Sequence, residues 1–133
     1  MYIQMMNIDP STYYFWASIT SITYGVYAAF RYYSVSGVDL INTKDAKKMI
    51  KTGGIKNIID VRTKTEWNMG HFKNAIHIPI NDINEKSTKK LKKEEGILTY
   101  CNTGQRARAA AERLKELGFK KVYYIDGTYT GLN

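Results

Sequence analysis

A short β-prone run, Ile97-Leu98-Thr99-Tyr100, passes directly into the chain's one cysteine, Cys101, and on through Asn102-Thr103-Gly104-Gln105-Arg106 into an alanine-rich segment. This junction constrains the fold more than any other stretch. The run reads as a buried strand. From Arg106 through Ala109, Ala110, Ala111, Leu114 and Leu117 the small and apolar residues recur at helical spacing until Gly118 supplies a stop. Cys101 therefore sits between a strand end and a helix start. Backbone N–H groups in such a loop have no helical partners, and the helix dipole and Arg106 both favour negative charge there. That environment turns a cysteine into a nucleophile.

Strand and helix patterns alternate through the rest of the chain from residue 38 onward. Val38 to Ile41 reads as a strand, and Asn42-Thr43 caps a helix through Lys51 that Gly53-Gly54 closes. Asn57 to Val61 reads as a strand buried on both faces, and a short helical turn surrounds Glu66 and Trp67 before Gly70. Ala75 to Ile80 predicts a brief strand with a proline-enforced exit at Pro79, and Asn84 to Lys93 a charged surface helix. Val122 to Ile125 is the last strand, followed from Gly127 by a polar tail. The alternation predicts an α/β fold with a central, mainly parallel sheet flanked by helices. Ligands bind beyond the carboxyl ends of strands in such sheets, and Cys101 lies at such an end.

The chain has 133 residues, room for one domain and an appendage. A single cysteine excludes an intramolecular disulfide, a C-x-x-C pair and a cysteine-built zinc site, and leaves a free thiol suited to a reducing compartment. No metal and no cofactor is expected. The net charge of +8 raises nucleic acid as a partner, but all 20 Lys and Arg residues lie at or beyond Arg31, many in clusters such as Lys44/Lys47/Lys48 and Lys89/Lys90/Lys92/Lys93. No aromatic residues interleave them and no nucleic-acid motif is present, so they read as solvated faces and no nucleic-acid role is expected.

The appendage is residues 1–33, with 34–37 as a linker and 38–133 as the domain. Ser11 through Phe30 carry no charge, and aromatic residues gather at both ends: Tyr13, Tyr14, Phe15 and Trp16, then Tyr27, Phe30, Tyr32 and Tyr33. This predicts a membrane-anchoring helix, with Arg31 and the later lysines holding the domain in the cytoplasm. The alternative is a soluble cytoplasmic protein in which Phe15, Ile19, Ile22 and Val26 form the apolar stripe of a helix packed on the domain or on a second chain. Ala17, Ser21, Gly25 and Ala29 recur every fourth residue, which suggests a homodimer through that face.

Asp60-Val61-Arg62, Glu66-Trp67, Gly70-His71, Ala75 and Pro79 are followed by Cys101-x-x-Gly104-x-Arg106, Leu117-Gly118-Phe119, Val122-Tyr123 and Asp126-Gly127. In their order and spacing these resemble a single-domain rhodanese, a thiosulfate sulfurtransferase, over about residues 38 to 130. The resemblance implies a rhodanese-like α/β domain whose cysteine accepts a sulfane sulfur as a persulfide and passes it to a thiol or to cyanide. A small sulfur-containing anion such as thiosulfate is already activated, so transfer needs a thiolate and an anion-stabilising cradle, not a general base. Cys101 would attack the outer sulfur, the amides of Asn102, Thr103, Gly104, Gln105 and Arg106 would hold the charge, and Arg106 would attract the donor. Arg108 is a reserve position. The resemblance makes Asp60, Arg62 and Glu66 loop-organising ion pairs, and His71 and His77 read as structural hydrogen-bonding groups.

Two other readings compete. A cysteine-dependent phosphatase or arsenate reductase also closes a thiolate loop with arginine, but resembles C-x5-R, whereas Cys101 to Arg106 is C-x4-R. A non-catalytic module would bind a partner at a membrane and leave the cysteine incidental. The sequence departs from the rhodanese pattern at Ala107, where a small hydroxyl residue is common, and after Gly127, where the edge of the pocket is left open.

Overall fold

The computed structural model describes residues 9–35 and 38–133. They fall into two units divided between Tyr33 and Ser34. The first holds all but the last two residues of a 26-residue helix, α1 (Pro10–Val35). Proline suits a first helical position because its missing N–H would have no partner there. Ser34 and Val35, expected in the linker, continue α1, and Ser36 and Gly37 lie outside the described residues, as do residues 1–8.

The predicted membrane anchor is corrected: no described helix is both long and apolar enough to cross a membrane. Length is sufficient in α1, so apolarity is what fails. Ser18, Thr20, Ser21 and Thr23 occupy its middle and return their hydroxyls to the helix backbone, as in Ser18 Oγ to the Tyr14 carbonyl at 2.8 Å and Thr23 Oγ1 to the Ile19 carbonyl at 2.8 Å. Such back-bonding satisfies a hydroxyl without making it apolar. The argument that placed the domain on a cytoplasmic face goes with the anchor.

The second unit is a five-stranded parallel sheet in the order β1-β5-β4-β2-β3. Its strands are β1 (Val38–Leu40), β2 (Asn57–Asp60), β3 (Ile76–His77), β4 (Ile97–Tyr100) and β5 (Val122–Tyr124). Every residue of the central β4 is buried. Residues alternate between the faces of a strand, so β4 feeds two cores. Ile97 faces a cluster with Ile59, Ala107, Ala110, Ala111 and Leu114, the inner side of α4 (Gln105–Glu116). Leu98 and Tyr100 face the other, with Ile58, Ile125, Leu132 and Ala46 of α2 (Thr43–Thr52). The alanines of α4 keep its axis close to the sheet, which holds its N-terminus against the end of β4.

The caps follow the sequence. Asn42 Oδ1 accepts from the Asp45 amide at 2.7 Å, and Gly53 ends α2 in the left-handed region at φ 85°. Asn42→Ala is expected to cost about 1 kcal/mol, read as a shift of the urea midpoint with unchanged slope. A capping box joins Thr63 and Glu66 at the start of α3 (Lys64–Asn68).

Three elements differ from expectation. The helix predicted over Asn84 to Lys93 is a succession of turns. Asn84 Oδ1 takes the Ser87 amide at 2.9 Å and Ser87 Oγ takes the Asn84 amide at 3.0 Å, so side chains claim groups a helix would use, while the lysines repel one another. β3 is shorter than predicted, because Pro79 turns the chain into a 3-10 turn at Ile80–Asp82. The polar tail is ordered: Tyr129–Leu132 form a 3-10 turn, Leu132 is buried among the α2-side core residues, and Lys47 Nζ bonds the Asn133 carbonyl at 2.8 Å.

Candidate active site

β2 and β4 run side by side and pair Asp60 with Tyr100 at their carboxyl ends. The next residue of each chain segment therefore leaves the sheet at the same edge. Beyond β4, Cys101 is fully buried, and its Sγ accepts the amides of Gly104 at 3.1 Å and Ala107 at 3.4 Å. Both donors belong to the start of α4, where N–H groups lack intrahelical partners and the dipole is positive. They therefore stabilise negative charge on the sulfur. Thr99 Oγ1 bonds the Ala107 carbonyl at 2.8 Å and pins that first helical turn to β4.

Gly104 makes the turn sharp enough for its amide to face back at Cys101. Its φ is 93°, and a Cβ there would lie 2.9 Å from the Cα of Asp126. Gly104→Ala is expected to cost about 1–3 kcal/mol and to swing the amide off the sulfur. Thermal melts should show the first effect, and a structure of the variant lacking the Gly104 amide–Sγ contact the second.

Beyond β2, Asp60 and Arg62 form a buried ion pair. Arg62 Nη2 and Nε meet Asp60 Oδ2 at 2.7 and 3.1 Å, and the Arg62 amide meets Oδ1 at 2.9 Å. Tyr100 donates its hydroxyl to Asp60 Oδ2 at 2.7 Å, and burial pushes that hydroxyl's pKa well up, which keeps it a donor. Hydrogen bonding to Asp60 raises the Arg62 guanidinium above its ordinary value. Arg62 also lies over the rings of Tyr100 and Tyr129, so the tail closes this side of the site where the sequence left it open.

Glu66 joins the two edges. Arg106 Nη1 and Nη2 meet its Oε1 and Oε2 at 2.7 and 2.9 Å, and Asn102 Nδ2 donates to Oε2. The Arg106 bonds, then those from Thr63, hold the Glu66 carboxyl far below the usual carboxylate range despite partial burial. Glu66 in turn raises Arg106. Asn102 Oδ1 also accepts from Arg62 Nη1 at 3.4 Å, which ties the cysteine loop to the Asp60 pair.

Of the six predicted site residues, the structure brings Cys101 and Gly104 together at the sulfur. Asn102 and Arg106 form the clasp with Glu66, while Thr103 and Gln105 are exposed. The Arg106 guanidinium is thus taken by a carboxylate and not left open for an anion. Arg108 is exposed and pairs with Glu112 at 3.2 Å. His71 Nδ1 meets the Trp67 carbonyl at 2.9 Å, His77 Nε2 meets the Arg62 carbonyl at 2.8 Å, and both rings stack on Trp67. Among the described residues no group of three or more His, Cys, Asp or Glu side chains could hold a metal ion.

Sequence reasoning missed the Ala107 amide and the Tyr100 hydroxyl. Backbone donors leave no trace in residue type. The Thr63-x-x-Glu66 spacing does announce a capping box, but not the second partner of its glutamate.

The model of the Rhodanese-like domain family matches residues 42–133. The chain belongs to the rhodanese-like family. A relative in Bacillus subtilis (strain 168), the putative sulfur carrier protein YrkF, is 32% identical over 92 residues, covering 69% of this chain and 49% of that protein. The tRNA uridine(34) hydroxylase of Enterobacter sp. (strain 638) is 36% identical over 74 residues, 52% of this chain and 21% of that one. The rhodanese-like chain thus spans half or less of the length of these relatives. Among solved structures, the BH2092 protein of Bacillus halodurans superposes with a TM-score of 0.62 at 35% identity, covering 79% of this chain and 78% of its own.

Proposed function

We propose that this rhodanese-like domain is a sulfurtransferase that carries a sulfane sulfur as a persulfide on Cys101. The observation that supports it is the pair of amides, from Gly104 and Ala107, aimed at the one cysteine in a loop holding no general base. With thiosulfate, the Cys101 thiolate attacks the outer sulfur, the new Sγ–S bond forms, and the S–S bond of the donor breaks with its electron pair leaving on sulfite. The anionic persulfide then sits where the two amides hold its charge. A thiol or cyanide attacks the outer sulfur, and the electron pair of the breaking bond returns Cys101 to the thiolate. A chain similar to a putative sulfur carrier protein suits such a relay.

The phosphatase reading has less support. A phosphate monoester needs a guanidinium open to its oxygens, and Arg106 spends both of its terminal nitrogens on Glu66. Thiocyanate formation from a sulfane donor and cyanide tests the proposal. Turnover that depends on Cys101 is the expected result, and its absence together with Cys101-dependent hydrolysis of p-nitrophenyl phosphate would sink it.

A further inference from the structure

Glu66 stands in the site without a part in the transfer chemistry. It lies on α3, not on the cysteine loop, and reaches across to bind the two loop side chains, Arg106 and Asn102, that could otherwise meet a donor. Thr63 fixes it from behind: the Thr63 amide and hydroxyl donate to Oε1 at 3.2 and 3.0 Å. The carboxylate is therefore held in place before any ligand arrives.

Arg106 is the only charged residue from Cys101 through Arg106. Its partner cancels that charge, and Arg62, the other guanidinium bonded to this loop, is cancelled by Asp60. Asp126 lies beside Gly104, where a Cβ would fall 3.2 Å from its Oδ1. A dianion approaching Cys101 meets no uncompensated guanidinium among the described residues that bond the loop. To be gripped by Arg106 it must break a bidentate ion pair and lie beside the carboxylate it displaced. A thiol persulfide has no sulfonate group to neutralise, and its reacting sulfur needs only the amides.

Resting on the sulfurtransferase reading above, we propose that Glu66 is a donor-specificity residue. By holding Arg106 in a bidentate pair, it withdraws the loop's cation from the donor and selects thiol persulfides over dianionic thiosulfate. In the favoured step the Cys101 thiolate attacks the terminal sulfur of R–S–SH. The Sγ–S bond forms, the donor S–S bond breaks, and R–S⁻ leaves with the electron pair while the proton stays on the transferred sulfur. No net oxidation occurs.

The test compares cysteine persulfide with thiosulfate as donors to the whole chain, wild type and Glu66→Gln, following Cys101 persulfide and steady-state kcat and KM. Glutamine keeps the size and an acceptor for Thr63 but frees Arg106 of its counter-charge. The expected result is a fall of about five- to tenfold in the thiosulfate KM with kcat little changed, and a change of no more than about twofold with cysteine persulfide. A merely structural Glu66 would shift both donors together. A thiosulfate KM that stays the same or rises while cysteine persulfide is still used would overturn the proposal alone. Should Glu66→Gln lose turnover with both donors, inorganic sulfate decides on the wild type: failure to compete with cysteine persulfide supports the proposal, and competition at millimolar sulfate overturns it. Wild type that takes sulfur from neither donor overturns the sulfurtransferase reading itself.

Discussion

Replacing Asp60 by alanine is expected to destabilise the domain by about 3–5 kcal/mol, the range for removing one partner of a buried ion pair. Asp60 is fully buried and accepts from the Arg62 amide, from Arg62 Nε and Nη2, and from the Tyr100 hydroxyl. After the change Arg62, only 6% exposed, retains the Gly70 carbonyl at 2.6 Å and the long bond to Asn102. A buried guanidinium is then uncompensated and a buried hydroxyl loses its acceptor. Asp60→Asn keeps the shape and an acceptor oxygen, so its cost should fall between that of alanine and wild type. Urea denaturation at fixed slope measures both. A loss below about 1 kcal/mol for Asp60→Ala would mean that water reaches Arg62 and that the pair is not the anchor of this edge.

The second large effect separates chemistry from stability. Cys101→Ser should reduce thiocyanate formation by at least about 10³-fold, because a serine hydroxyl without a general base is a poor nucleophile and cannot hold a sulfane sulfur as a persulfide. The fold should barely respond, since the serine oxygen can still accept the amides of Gly104 and Ala107, and a change within about 1–2 kcal/mol is expected. Parallel melts and turnover assays on the two variants should therefore give opposite patterns. Asp60→Ala loses stability first, whereas Cys101→Ser loses turnover with its melting curve nearly intact. Full biological function in Cys101→Ala, with no thiocyanate formed by the wild type, would instead favour a module that binds a partner and does no chemistry with its cysteine.

Much of the sheet was legible because its inner strands β2, β4 and β5 are largely buried and read as short apolar runs set between helical patterns. β4 and α4 are the clearest case: four buried residues, then alanines at helical spacing, place Cys101 at a strand end without any tertiary information. The capping residues Asn42 and Gly53 were legible for a local reason too, since each acts within a single turn. Asn84 to Lys93 was not, because charge content looks the same in a surface helix and in a turn, and the Asn84–Ser87 exchange that decides between them depends on backbone geometry.

At the site, the sequence supplied the cysteine proposed to react but not the state of its neighbours. Arg106 read as a free cation because Glu66 is 40 residues away in the chain, and only the pairing of β2 with β4 brings α3 beside the cysteine loop. The Ala107 amide is invisible for a different reason: alanine at that position looks like a lost hydroxyl, whereas its backbone N–H reaches the sulfur. The tail gave too weak a signal, since Tyr129 and Leu132 stand singly among polar residues and still close over Arg62 and the α2 side of the core. The membrane helix failed by composition. The uncharged stretch is long, but its hydroxyl-bearing centre withholds the apolarity a bilayer demands.

The most direct test of the central claim is the intact mass of the purified protein before and after exposure to thiosulfate or cysteine persulfide, with and without later cyanide, beside Cys101→Ser. The account predicts a gain of one sulfur atom in the wild type that cyanide removes and that the serine variant never acquires. No gain from either donor, or an equal gain in the serine variant, would contradict it.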